Sequence, residues 1–584
     1  MSAASVKRHS LRLFSASAII LGAAGTSAVA AVPANAHPSW SVVSLRPSGF
    51  EPMVTGLGFL SDGRLVICHW GGLHNDVDKL QTKGAIYIMK GVTGDSPSPT
   101  VTTYASGLAD PVGMLVKDDK IYVTGGEQLI ELPDADNDGK ADAPKVICKI
   151  PGTHARHEFL FGLAFKDGKF YMSPSSGKDV GSGLPAWGQK NPNRGTTLAV
   201  DPATGTFEVF SMGLREPNGM GLGPENELFV PDVQGNWLPA NKLINIRKGR
   251  FYGFKHEPAE TWDNMKESPP VVYLPQGDLA QAPGNPLYIS AGNIPGDRFV
   301  GQMLIGDAVN GGIRRVFLEK VNNEWQGSVF WFSGGLEAGA NRLLWGPDGY
   351  LYVGMCGQGE GWSYKMDWGL QKMKPSAKET FEVVAVRSRK GGMEIEYTHE
   401  VNAAGQAAGA YNVRNWNYNP TSAYGGSPIG TKSLAVGAVQ VSADKKKVFL
   451  PLSGLEAGKL VNIRITGAAA ATGGLANWTT ETWYTLNNIS DQEPFTTSAR
   501  PAGPAPVRDD GLNLRASAGM LELAAGLAGI DGAQVRDLRG TLVADRSGHG
   551  ARTLEIPTRG WAPGVYSVAV RSGARILRRT VAIQ

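Results

Sequence analysis

The sequence is short of cysteine, histidine and long apolar runs, and each shortage narrows what the chain can be. Cys68, Cys148 and Cys356 are the three cysteines of 584 residues, an odd and small number that excludes a complete disulfide framework. Each closes an apolar run ("RLVICHW", "KVICKI", "LYVGMCGQ") and reads as a small buried hydrophobe. There is no C-x-x-C pair, C-x-x-C-H or H-E-x-x-H, which removes attached haem and the common zinc motifs. A formal net charge of +4 is too small for a nucleic-acid footprint, and no glycine-rich phosphate loop occurs. The one apolar run of length is Leu13–Val32. It follows Lys7, Arg8 and Arg12 and precedes Ala34-Asn35-Ala36, the layout of a signal peptide over residues 1–36. The expected mature protein begins near His37, is secreted or surface-displayed, and has no membrane span.

What is abundant is glycine and proline, 76 and 36 residues, which with many short β-type runs favours an all-β chain. The stretch 211–254 (SMGLREPNGMGLGPENELFVPDVQGNWLPANKLINIRKGRFYGF) shows the repeating unit. "GLREPNGMGL" leads into one strand, "GPENEL" turns, "ELFVPD" returns and "KLINI" follows. The pattern recurs at 56–72, 107–132, 159–177 and 339–362, with a degenerate copy at 284–318. Turn centres lie roughly 50–60 residues apart, as four-stranded propeller blades with added loops require. The expected architecture is a six-bladed β-propeller over residues 37–374. A period-two region, 375–489, reads as an immunoglobulin-like β-sandwich. Residues 490–507 are a Pro/Ser/Thr-rich linker, and 508–584 form a small C-terminal β-sandwich.

In an up-and-down blade, the loop entering the first strand and the loop leaving the second share one face. That face, the mouth, receives His154, Arg156, His157, Arg215, Asn218, Asn341 and Arg342 from entering loops. Loops leaving second strands bring His69, Trp70, Glu127, Asp232, Gln234, Asp307, Asn310, Gln358 and Glu360. Convergence of acid, base and amide groups on one funnel marks a candidate site. Two of only nine histidines lie in "GTHARHEFLFGLAF", which makes His157 and His154 candidate general bases. Arg215 is placed to orient an anion. Separately, "DADNDGKAD" sets Asp134, Asp136 and Asp138 at alternate positions, with Gly139 for the turn and Asp142 following, the oxygen density of a calcium loop. Lys145 at the twelfth position rules out a true EF-hand.

With "GLREPNGMGLGPENELFVPD", "HARHEFLFGLAFKDGKFYMS" and "DADNDGKAD" in hand, residues 40–372 resemble the glucose/sorbosone dehydrogenase-like propellers, the six-bladed quinoprotein sugar dehydrogenases and their secreted relatives. The resemblance implies pyrroloquinoline quinone over the mouth and a small sugar or alcohol as substrate. It implies His157, with His154 competing, as the base that takes the hydroxyl proton. It implies Arg215 as an arginine serving both chemistry and cofactor. Cofactor-binding candidates are then Arg215, Asn218, Asp232 and Gln234. The family's later arginines correspond to Arg314, Arg315 or Arg342. Glu216 stands where the family has asparagine. The last domain ("VRDLRGTLV", "PGVYSVAVRSGARILRRTVAI") resembles C-terminal sorting domains read by a secretion machinery. Two other functional classes fit the scaffold: a non-redox glycan-binding propeller, and a calcium-assisted lactonase or hydrolase with acidic ligands at the mouth.

Overall fold

In the computed structural model the described residues are 35–72, 81–151, 159–176, 193–255, 262–357 and 363–495, followed by strands and connections between 512 and 583. Residues 1–34 of the expected signal peptide (1–36), both candidate histidines and the pair Gln358 and Glu360 lie outside the described residues. Among those described there is no α-helix; short 3-10 turns interrupt strands throughout. No helix is long and apolar enough to cross a membrane.

Six antiparallel four-stranded blades follow one another, the fifth forming half of an eight-stranded sheet. Their innermost strands are Val54–Phe59, Gly113–Lys117, Leu160–Lys166, Gly221–Leu222, Pro283–Tyr288 and Ala340–Trp345. Each touches the next, and the sixth returns to the first, so the ring is closed. Closure is made by the N-terminal strand Trp40–Ser44, which pairs with Trp368–Pro375 as the outer strand of blade six. One sheet built from both ends of the ring removes the free edge that an open array would leave. Glycine permits the crowding at the axis: a Cβ on Gly113 would sit 2.0 Å from the Gly162 carbonyl oxygen, and one on Gly221 2.2 Å from that of Pro286. The repeat read from the sequence is therefore a six-bladed propeller, and the blade 211–254 has the shortest inner strand, two residues before the Pro224–Asn226 turn.

The β-sandwich that follows is continuous with the propeller. The outer strand of blade five, Glu324–Ser333, pairs with Glu481–Leu486, which makes one eight-stranded sheet from blade five through Lys459–Ile465, Tyr411–Asn417 and Ile429–Leu434. The facing sheet is Val383–Arg389, Gly392–Tyr397, Lys447–Pro451 and Gln440–Val441. Their shared core takes in Phe317 and Phe330 of blade five. Residues 490–495 stay on this unit: the Ser490 N–H donates to Ser388 Oγ and the Phe495 N–H to Glu394 Oε2. The C-terminal unit, from Ser498 onward, is a small sandwich of three-stranded and four-stranded sheets around Leu521, Leu523, Val535, Ile556, Tyr566 and Val568.

Candidate functional site

Blade geometry carries the mouth. The residue that ends a second strand reaches back to the backbone entering the first strand of its own blade. In blade four this is Asp232, whose carboxylate accepts the Arg215 N–H at 2.9 Å and the Glu216 N–H at 2.7 Å. In blade five Asp307 accepts from Gln281 N and Ala282 N, at 2.6 and 3.1 Å. Ser175 Oγ takes the Phe159 N–H in blade three, and His69 Nδ1 takes the Met53 N–H in blade one. The mouth carboxylates Asp232 and Asp307 are thus latches on backbone donors. Both are fully buried. Burial pushes the Asp232 carboxyl up to about 6, opposed by the two N–H donors, Lys242 and Arg215. Burial likewise lowers the His69 imidazole.

The candidates separate into three groups. Arg215, Glu216, Asp232 and Gln234 meet on blade four: Arg215 Nη1 donates to Glu216 Oε2 at 2.9 Å, and Gln234 Nε2 donates to the Pro239 carbonyl at 3.0 Å. Asn218, Asn341 and Arg342 meet at the axis. Arg342 donates to the carbonyls of Thr55, Val112 and Asn341 and to Asn218 Oδ1, and Asn218 Nδ2 donates to Asn341 Oδ1. Buried on this lattice, the Arg342 guanidinium is lowered to about 10. It ties the inner strands of blades one, two and six and caps a channel of about 500 Å3 lined by all six inner strands, which runs away from the mouth to Lys117, Phe165 and Tyr288. Arg314 stands apart in blade five, 0 % exposed, donating to the carbonyls of Leu279, Gly311 and Gly312 over the Trp331 ring. Arg315 holds the Val383 and Val384 carbonyls of the sandwich.

Pyrroloquinoline quinone is a rigid tricarboxylate anion and requires cations facing the mouth. Arg342 spends its donors on backbone carbonyls and on the amide oxygens of Asn218 and Asn341; Arg314 is wholly buried, held by three carbonyls with Nη2 3.9 Å from Asp307; and the Arg215 charge is matched by Glu216 with Asp232 behind. The described candidates therefore do not fit this anion.

The aspartate loop has a different fit and a different place. Carboxylate oxygens of Asp134, Asp136 and Asp138 lie within 4.8 Å of one another. Asn137 and Gly139, at φ of 58° and 84°, turn the chain to gather them, the oxygen set a hard cation prefers. Asp142 is turned away to accept the Ala135 N–H at 2.8 Å. The loop joins the third and fourth strands of blade two, Gln128–Leu132 and Lys145–Lys149. In an antiparallel blade that connection shares the face of the first turn, here Asp118-Asp119, and so lies opposite the mouth.

Two aromatic residues join the mouth, one that the blade reading places there and one that it misses. Trp237, in the loop after the second strand of blade four, has φ of 63° and lies under the Lys255 ammonium at 4.6 Å. Tyr424, from the sandwich, faces the Arg215 guanidinium at 5.3 Å. Trp237 is visible in the sequence as an aromatic just past a strand. Nothing local marks Tyr424, which comes some two hundred residues later.

A family model described as a domain of unknown function, DUF7133, matches residues 49–260. No curated protein matches the chain. Among solved structures the chain is similar to an oxidoreductase (glucose dehydrogenase) from Thermus thermophilus, at 20 % identity and a TM-score of 0.42 over 57 % of this chain and 100 % of that one. It is also similar to the PQQ-bound aldose sugar dehydrogenase of Streptomyces coelicolor, at 17 % identity and 0.41 over 58 % of this chain and 99 % of that one. A third is the PQQ domain of a pyranose dehydrogenase from Coprinopsis cinerea, at 12 % identity and 0.41 over 58 % and 96 %.

Proposed function

We propose that this chain is an exported propeller enzyme that acts on a sugar or related alcohol at the mouth, between blades three and four. The observation that carries the reading is the joint between those blades. The segment bearing His154 and His157 ends at Phe159, latched to Ser175; the next residue, Ser176, donates through its N–H and Oγ to the Arg215 carbonyl. Phe159, the first described residue after that segment, is thereby linked through Ser175 and Ser176 to the backbone of Arg215. A neutral imidazole accepts a hydroxyl proton near neutral pH. A charge-neutral Arg–Glu pair offers donors and acceptors to an uncharged polyol without demanding an anion.

Oxidation with pyrroloquinoline quinone is the finer reading that the family resemblance supports, and the poor fit of Arg215, Arg314 and Arg342 to its carboxylates weighs against it. Calcium at Asp134, Asp136 and Asp138 supports the fold in this reading and takes no part in chemistry, since it sits on the face opposite the mouth. Export through residues 1–36, with recognition of residues 508–584 by a secretion machinery, completes the proposal. The test is turnover of a panel of aldoses, polyols and sugar lactones by purified protein, with and without added quinone, calcium and an electron-accepting dye. Dye reduction only with quinone establishes the dehydrogenase; lactone hydrolysis without it establishes a hydrolase. No turnover on any substrate refutes the enzyme and leaves a glycan-binding propeller.

A further inference from the structure

The sandwich reaches back onto the mouth. Its loop between Tyr411–Asn417 and Ile429–Leu434 lies along the loop that follows the second strand of blade four. The Trp237 N–H donates to the Thr421 carbonyl at 2.7 Å, the Gly425 N–H to the Gly235 carbonyl at 3.0 Å and the Gly426 N–H to the Pro239 carbonyl at 3.0 Å. Asn236 Nδ2 donates to the Ser422 carbonyl at 2.6 Å, and Asn236 bridges to Tyr424 along the backbone. Gly425 stands at φ +67°, a conformation that favours glycine, and a Cβ there would press on the Gln234 side chain, 2.0 Å from Nε2.

This seam does more than join domains. It holds Trp237 at a left-handed φ of 63°, a conformation costly for a bulky residue that persists only where its surroundings enforce it. It also leaves Tyr424 50 % exposed directly beside the mouth residue Arg215. Two aromatic residues, one from the propeller and one from the sandwich, thus lie on the paired loops of this seam, Trp237 against the Lys255 ammonium and Tyr424 against the Arg215 guanidinium. They are flanked by the ion pairs Arg215–Glu216 and Lys255–Asp263, at 2.9 and 2.6 Å, and by the exposed Thr421 and Ser422. Aromatic faces beside mixed, mutually neutralised charges match a pyranose chain, whose C–H faces pack on rings while its hydroxyls both donate and accept. An anionic ligand would meet Glu216 and Asp263, and a purely apolar one would strand the charges.

We propose that Tyr424 and Trp237 form a saccharide platform on the rim of blade four, a subsite for further sugar units of an oligosaccharide whose terminal unit enters the mouth. This rests on the carbohydrate reading of the mouth and makes the substrate class oligosaccharide. Tyr424 acts here as a specificity-determining residue that the sandwich delivers.

The experiment is calorimetric titration of the full chain with cello-, malto-, laminari- and xylopentaose and with glucose and xylose. The expected result is a pentaose bound at least tenfold more tightly than its monosaccharide. Tyr424→Ala should erase that advantage, bringing the pentaose down to the affinity of the monosaccharide, while Tyr424→Phe keeps it. Should Tyr424→Ala lower the melting temperature, Tyr424→Leu, which retains bulk without a ring face, must show the same loss. A wild type with no chain-length preference overturns the platform, as does a preference that survives both Tyr424→Ala and Trp237→Ala. Turnover without chain-length preference overturns the platform and leaves the mouth reading standing. Preference without turnover supports the platform and removes the enzyme.

Discussion

Asp232 shows how a single residue changes meaning between sequence and structure. Beside an arginine at a strand end it reads as a site acid; in place, its oxygens are occupied by the N–H groups of Arg215 and Glu216. Its native carboxyl, at about 6 and above the ordinary aspartate value of 3.8, holds its proton more tightly than in the unfolded chain. The native state then binds more protons between these values, so Asp232's contribution to stability falls as pH rises from about 4 to 6 and is constant above. The full span is about 3 kcal/mol at most. Urea unfolding of wild type and Asp232→Asn at pH 4 to 7 should show the wild type losing ground to the variant over that window; a difference independent of pH would contradict the shift. Gly425→Ala meets both a positive φ and the Gln234 side chain, and should cost roughly 1–3 kcal/mol of stability by denaturant titration. Sequence could list the mouth residues because blade topology assigns them to a face. It could not tell Asp232 and Asp307 from ligands of a substrate, because a latch and a site acid need the same residue at the same strand end.

At the scale of elements, the aspartate loop and the closing strand were unequal to read. Alternating aspartates with Gly139 are a local pattern, and the structure gathers three of them while Asp142 binds Ala135 instead. A chelator should lower the melting temperature, because a ligand held only by the native state stabilises it by about 2.7 kcal/mol at a hundred times its Kd. Asp136→Ala combined with Asp138→Ala should abolish that sensitivity in a thermal melt, and equal melting curves with and without chelator would show the loop to be metal-free. The closing strand Trp40–Ser44 carries no repeat signature, since its partner Trp368–Pro375 lies more than three hundred residues away; register across such a distance is set by the closed ring, which no local window contains.

For the whole molecule, the pairing of Glu324–Ser333 with Glu481–Leu486 makes propeller and sandwich one cooperative body where the sequence suggested successive modules. Period-two alternation reveals a strand but not which sheet it joins. A chain ending at residue 375 would expose that edge together with Phe317 and Phe330, and light scattering should find it aggregated. Removal of residues 508–584 should leave the melting of the remainder unchanged, since these residues form a compact unit of their own; under the export proposal, fractionation would find the shortened protein retained in the cell envelope. The central claim is that chemistry belongs to the mouth between blades three and four and to no other face. Its most direct measurement is kcat/KM on the best substrate of the panel for wild type, His157→Ala, Arg215→Ala and the Asp136→Ala, Asp138→Ala double variant, all assayed folded. The account predicts a loss of ~10²–10⁴-fold for His157→Ala, as for a missing general base, a rise chiefly in KM for Arg215→Ala, and full activity for the opposite-face double variant. Activity that survives both mouth substitutions, or that disappears with the aspartates while the protein remains folded, would contradict it.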